Sequence, residues 1–142
     1  MQAYPEASVT TVGFSLGGAL ALLDGLLIRM LLSTTTDVRV VAYGLPRVGN
    51  SEFAGFVDAM LPQSVKRINN KRDPYPIAPA ISLGYHNVRG EVHIQNNGKW
   101  IACPDDDNAD PRCSVGTVTS MNDANFADHL GPYDNVMMTC SS

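Results

Sequence analysis

Ser8-Val9-Thr10-Thr11-Val12-Gly13-Phe14-Ser15-Leu16-Gly17-Gly18-Ala19-Leu20-Ala21 changes character at its middle. The first half is rich in β-branched side chains, which favour extended backbone, so residues Ser8 to Phe14 read as a strand. The second half opens an apolar run from Leu16 to Leu32 that reads as a helix, with Gly17 and Gly18 allowing neighbouring backbone to pass closely. A strand that passes into a helix through Gly13-Phe14-Ser15-Leu16-Gly17 bends sharply enough to expose the serine oxygen. Ser15 is therefore the candidate nucleophile. It requires a carboxylate and a histidine, and Asp73 and His129 stand downstream in that order.

The pattern repeats outward from this stretch. After a polar break at Ser33 to Asp37, Val38 to Gly44 reads as a second strand stopped by Pro46. Ser51 to Leu61 carries Phe53, Phe56, Val57 and Met60 at helical spacing, with Ser51 as its cap and Pro62 closing it. Val65 to Asn69 reads as a third strand. Strands alternating with helices through short joins predict an α/β fold, a mostly parallel sheet flanked by helices. Asp73 then falls just past the third strand, on the carboxyl edge where such sheets hold ligands. Beyond Pro74, Pro76 and Pro79, Gly90 to Ile94 and Lys99 to Cys103 form a hairpin around Asn96-Asn97-Gly98. Cys103 to Asp128 reads as loop with short helical turns.

Composition bounds the function. A chain of 142 residues, 44% apolar, suits one domain with a real core. A formal net charge of -4 without any basic block argues against a nucleic-acid partner. Charged residues are only 17%, so part of the surface is expected to be apolar and to meet an apolar substrate or protein outside this chain. The run from Leu16 to Leu32 is shorter than a bilayer span and holds Asp24 and Arg29, so it reads as a core helix. Met1 to Pro5 carries no secretory signal. Cys103 and Cys113 enclose a polar, turn-rich loop that can close as a disulfide, which stabilises by roughly 3 kcal/mol. Cys140 is then either a free thiol or paired with a segment outside this chain. The cysteine spacing does not suit a shared metal. Asp105, Asp106, Asp107 and Asp110 offer oxygen ligands without EF-hand spacing and read as an acidic solvent loop. No metal or cofactor is expected.

A serine hydroxyl attacks well only when a base accepts its proton and a third group fixes the base. The order Ser15, Asp73, His129 matches that logic. An oxyanion on the attacked carbonyl needs two aimed donors. The Leu16 N–H, at the start of a helix, supplies one; the second is expected from a loop absent from this chain. His86, in a turn-like stretch, and His93, alternating in a strand, are assigned structural or surface roles. Asp123, Asp128 and Glu91 compete with Asp73. Asp128 adjoins His129 and is expected to point elsewhere, and Glu91 lies inside the hairpin.

On these residues the chain resembles the fungal class 3 lipases, secreted triacylglycerol lipases and related feruloyl esterases. Gly13 to Ala21 is similar to the family's Gly-His-Ser-Leu-Gly-Gly-Ala-Leu-Ala motif. Tyr43-Gly44-Leu45-Pro46-Arg47-Val48-Gly49-Asn50 resembles its Gly-x-Pro-Arg-Val-Gly-Asn block, Arg67 to Pro76 its aspartate-bearing strand end, and Asp128-His129 the site of its histidine. Phe14 departs from the usual histidine. The resemblance implies a partial α/β-hydrolase domain over residues 1–142, with N-terminal strands and lid missing. It implies a secreted serine ester hydrolase acting on lipid esters, with triacylglycerol as the expected substrate, that touches a lipid interface transiently, with Cys140 pairing to a cysteine on a missing N-terminal segment. A feruloyl or short-chain esterase, or an inactive remnant serving as a binding module, are the alternatives.

Overall fold

The computed structural model describes Tyr4 and residues 6–139. Its elements follow in chain order: β1 (Val9–Phe14), α1 (Leu16–Leu31), β2 (Val38–Tyr43), β3 (Gly49–Asn50), α2 (Ser51–Met60), β4 (Val65–Asn70), β5 (Tyr85–His86), β6 (Glu91–Ile94), β7 (Trp100–Cys103) and α3 (Ser114–Thr117). One sheet has the order β1-β2-β4-β6-β7. Its first four strands are parallel and β7 returns antiparallel to β6, as the hairpin pattern predicts. The short β3 and β5 pair separately.

Alternation along β2 divides the core. Val38, Val40 and Ala42 turn to one face and pack with Leu22, Leu26 and Val57 of α1 and α2. On the opposite face, Val41 and Tyr43 join Phe14, Ile68, Ile94 and Tyr133. Helix α1 approaches closely because its inner face is small: a Cβ added at Gly25 would lie 2.4 Å from Val40 Cγ2.

Three expectations change. The cap of α2 is Asn50, whose Oδ1 accepts the Phe53 N–H at 2.9 Å, and Ser51 is already the first helical residue. Helix α1 is buried on one face only. Leu16, Leu20, Leu23, Leu27 and Met30, at helical spacing, are 41 to 71% exposed. Asp107 does not belong to a solvent loop. Its carboxylate accepts from Arg47 Nε at 2.9 Å and Nη2 at 2.7 Å, with side chains 2 and 9% exposed. Arg47 also donates to Ile77 O and to Pro79 O at 2.7 Å, tying the loop after β2 to the one after β4.

The Cys103–Cys113 disulfide is formed. Cys140 lies outside the described residues. Among the described residues, no helix is long and apolar enough to cross a membrane.

Candidate active site

Ser15 occupies the bend between β1 and α1 with φ 55° and ψ −124°, a region that β-carbon sterics disfavour. The bend is tight enough that a Cβ on Gly13 would sit 2.0 Å from Gly17 O. Hydrogen bonds pin it on both sides: Ser15 N–H donates to Tyr43 O at 2.9 Å, and Ser15 O accepts from Gly18 N at 2.9 Å. The Leu16 N–H that follows belongs to the first turn, where backbone donors have no intrahelical acceptor.

Asp73 lies in the turn that leaves β4. It is 1% exposed, and its Oδ1 accepts the Tyr75 N–H at 2.9 Å. This leaves Oδ2 for His129, whose Nδ1 is 2.8 Å away. His129 comes from the single-turn helix Phe126–Leu130, which Asn125 caps through the Ala127 N–H. Its Nε2 is 2.8 Å from Ser15 Oγ, across 114 residues of sequence. With Nδ1 donating to the carboxylate, Nε2 presents a lone pair to the hydroxyl.

The turn bearing His129 is fixed to the turn bearing Asp73. Asp128 points away from the imidazole, and its carboxylate accepts the Arg72 N–H at 3.1 Å. Asn70 Nδ2 donates to Asp128 O at 2.9 Å, and Asn125 N–H donates to Arg72 O at 2.8 Å. Beneath, the Tyr133 hydroxyl donates to His129 O at 3.1 Å. Burial, then the nearby Asp73 charge, pushes ionisation of Tyr133 far upward, so this donor keeps its proton.

The competing residues lie elsewhere. Asp123 accepts from the Thr119 and Ser120 hydroxyls. Glu91 Oε1 accepts the Ser114 N–H at 2.8 Å, while its other oxygen lies 3.5 Å from Arg67. Full burial holds the Arg67 pKa below its usual value, against the pull of Glu91. His93 is buried between Arg112 O and Lys71 O, at 2.5 and 2.8 Å. His86 lies 3.5 Å from Asp107 and, with Asp106, could place three ligand atoms near one cation. Arg47 already takes one oxygen of the Asp107 carboxylate and the Asn87 N–H the other.

Sequence reading missed Gly44. Its φ is +56°, and a Cβ there would stand 2.8 Å from His129 Cε1 and Nδ1 and 2.9 Å from Asp73 Oδ2. Its place at the end of a strand, before Leu45-Pro46, was the available signal.

A serine elbow at the carboxyl edge of a mostly parallel sheet, with an acid and a histidine on later loops, defines the α/β-hydrolase fold. The profile of "Lipase (class 3)" matches residues 1–83, and the chain belongs to that family. It is 35% identical over 138 residues to the secreted mono- and diacylglycerol lipase MDL2 of Malassezia globosa, covering 96% of this chain and 43% of that protein. It is 32% identical to secreted mono- and diacylglycerol lipase 2 of Gibberella zeae, covering 83% of this chain and 32% of that one. Lipase II from Rhizopus niveus superimposes with a TM-score of 0.80 at 30% identity, over 96% of this chain and 50% of its own. The chain thus spans less than half the length of the relatives it matches by sequence.

Proposed function

We propose that this chain carries the proton-transfer and nucleophilic machinery of a secreted carboxylic ester hydrolase acting on lipid esters, with residues 1–142 forming one part of a lipase-type domain. His129 removes the Ser15 proton as Oγ attacks the acyl carbonyl, and Asp73 holds and stabilises the resulting imidazolium. The Leu16 N–H is one donor to the oxyanion. The imidazolium then protonates the departing alcohol, and water releases the acid through the same base. The names of the Malassezia and Gibberella relatives favour mono- and diacylglycerols, while a triacylglycerol lipase of known structure is 30% identical to this chain, with a TM-score of 0.75. All are esters of glycerol, and the reaction at the carbonyl is the same.

The observation that carries this reading is the unbroken pair of 2.8 Å contacts from Ser15 Oγ through His129 to Asp73. The test is hydrolysis of p-nitrophenyl butyrate, monoolein and triolein by the purified chain and its Ser15→Ala variant. Wild-type turnover that disappears in Ser15→Ala supports the reading. Equal rates would remove the serine mechanism, and a cooperatively folded chain that releases no acid would favour a binding role.

A further inference from the structure

The His129 imidazole has aromatic neighbours from two different strand ends. The Tyr75 ring stacks on it with centroids 3.8 Å apart and planes inclined by 26°. The Phe14 ring has its centroid 4.6 Å away and its plane inclined by 31°. Two six-membered rings this close and this nearly parallel cannot lie side by side over one face of an imidazole, so they cover opposite faces. Each is braced in turn: Phe126 meets Tyr75 edge-on at 6.4 Å and 90°, and Tyr133 meets Phe14 at 6.4 Å and 78°. Phe14 immediately precedes Ser15, and Tyr75 gives its N–H to Asp73 Oδ1, so the two rings are anchored to the groups that His129 must connect.

We propose that Phe14 and Tyr75 form an aromatic clamp that holds the His129 ring in line with Ser15 and Asp73 and favours its protonated form during ester cleavage. The inference rests on the hydrolase reading and deepens it. When the Ser15 Oγ–H bond breaks, the proton goes to Nε2, the oxygen electron pair forms the bond to the acyl carbon, and the carbonyl π pair moves to oxygen. The ring is then a cation until it gives the proton to the departing alkoxide. An aromatic face is negative, and it attracts a cation within about 6 Å of its centroid. Both rings lie inside that distance.

The charged and titratable groups around the imidazole are few. Asp73 faces Nδ1 and Ser15 faces Nε2. Asp128, on the same turn, is committed to Arg72 N–H, and Tyr133 donates to the His129 carbonyl. Gly44, from the end of β2, brings no side chain. None of these groups is itself replaced by a substitution at 14 or 75. Phe14 and Tyr75 are positioning residues, acting through the ring they touch.

The test follows the His129 ring protons by NMR across a pH titration of the full chain and of Tyr75→Leu, Tyr75→Phe, Phe14→Leu and the double leucine variant. Leucine keeps apolar cover over the ring but removes the π face. In either single leucine variant, the pH at which His129 takes up its proton should fall by about half a pH unit, and in the double variant by about one. Tyr75→Phe should titrate with the wild type, and the ring-current displacement of the His129 protons should be lost only where a ring is lost. An unchanged or raised midpoint in folded Tyr75→Leu would overturn the clamp whether or not ester is cleaved. A lowered midpoint in a chain that hydrolyses nothing would support the clamp and overturn the hydrolase reading alone.

Discussion

On the β2 side of Ser15, a methyl group added to Gly44 would stand 2.8 Å from the His129 ring; on the α1 side, a methyl added to Gly17 would meet nothing within 4 Å. The first side is closed by Asp73, His129, Tyr75 and Phe14, braced by Tyr133 and by the bonds of Asn70 and Asp128. The second side is open, and Leu16, Leu20, Leu23 and Leu27 are 71, 56, 41 and 53% exposed along it. Ser15 therefore separates a region where tenths of an ångström decide whether Ser15, His129 and Asp73 stay in hydrogen-bonding contact from one where backbone placement alone matters. Substitutions on the two sides should differ accordingly.

The largest expected effect lies at the closed side's buried acid. Asp73→Asn keeps the shape but presents an amide to Nδ1, which favours the wrong tautomer, and should reduce kcat by about 10⁴-fold with unchanged circular dichroism. A loss of less than tenfold would mean that the carboxylate does not orient the base.

Next comes the support behind Gly44. Arg47→Ala would leave Asp107 buried without its partner and release the segment near Pro79. We expect a loss of about 3–5 kcal/mol in denaturant unfolding, with activity falling alongside. The same pair fixes a pH dependence. Burial alone would raise the Asp107 pKa, but hydrogen bonds from Arg47 and Asn87 more than offset it and hold the folded value below the ordinary one. The depressed folded pKa means the unfolded chain binds the proton first. Stability from this carboxylate is thus fully present above about pH 4 and is lost as pH falls from there through the folded value. Asp107→Asn should be less stable than the wild type at pH 7, and the gap in Tm should narrow below pH 4. A constant gap would show that the charge is not what matters.

Gly44→Ala tests the close contact itself. Forcing a β-carbon into φ +56° and against the imidazole should cost about 3 kcal/mol, from left-handed strain and overpacking together, and should displace His129. Activity should fall further than stability alone accounts for, which thermal unfolding and kcat/KM measured on the same preparation would separate.

What could be read from sequence follows the same division. The bend at Ser15, each element of the β-α-β-α-β order and the hairpin at Asn96-Asn97-Gly98 are local patterns, each written in a short contiguous stretch. Asp73 and His129 were legible through spacing and motif, since the rim of a parallel sheet collects the loops that follow its strands. The cap of α2 falls one residue from Ser51 because Asn50 and Ser51 are both good caps, and only backbone geometry separates neighbours. Asp107 reads as solvent loop in sequence because the guanidinium that buries it is 60 residues away. Gly44 carries only the weak sign of its place between a strand and Leu45-Pro46, and Tyr75 carries none, because their contacts with His129 exist only after separate loops meet.

The smallest effects belong to the open side, and they sharpen the contrast by being small. Gly17 has no backbone need to be glycine for space, and it sits near the start of α1, where alanine restricts the unfolded chain and favours helix. Gly17→Ala should therefore raise stability by about 0.5 kcal/mol. Leu20→Gln with Leu27→Gln removes apolar surface that water already covers, so unfolding free energy should stay within about 0.5 kcal/mol. Binding of a hydrophobic dye and self-association at high concentration should both drop, because the leucine stripe is the surface they would use. A fall of several degrees in Tm for the double glutamine variant would mean that this face is already covered in the folded chain, and the openness of the α1 side would have to be abandoned.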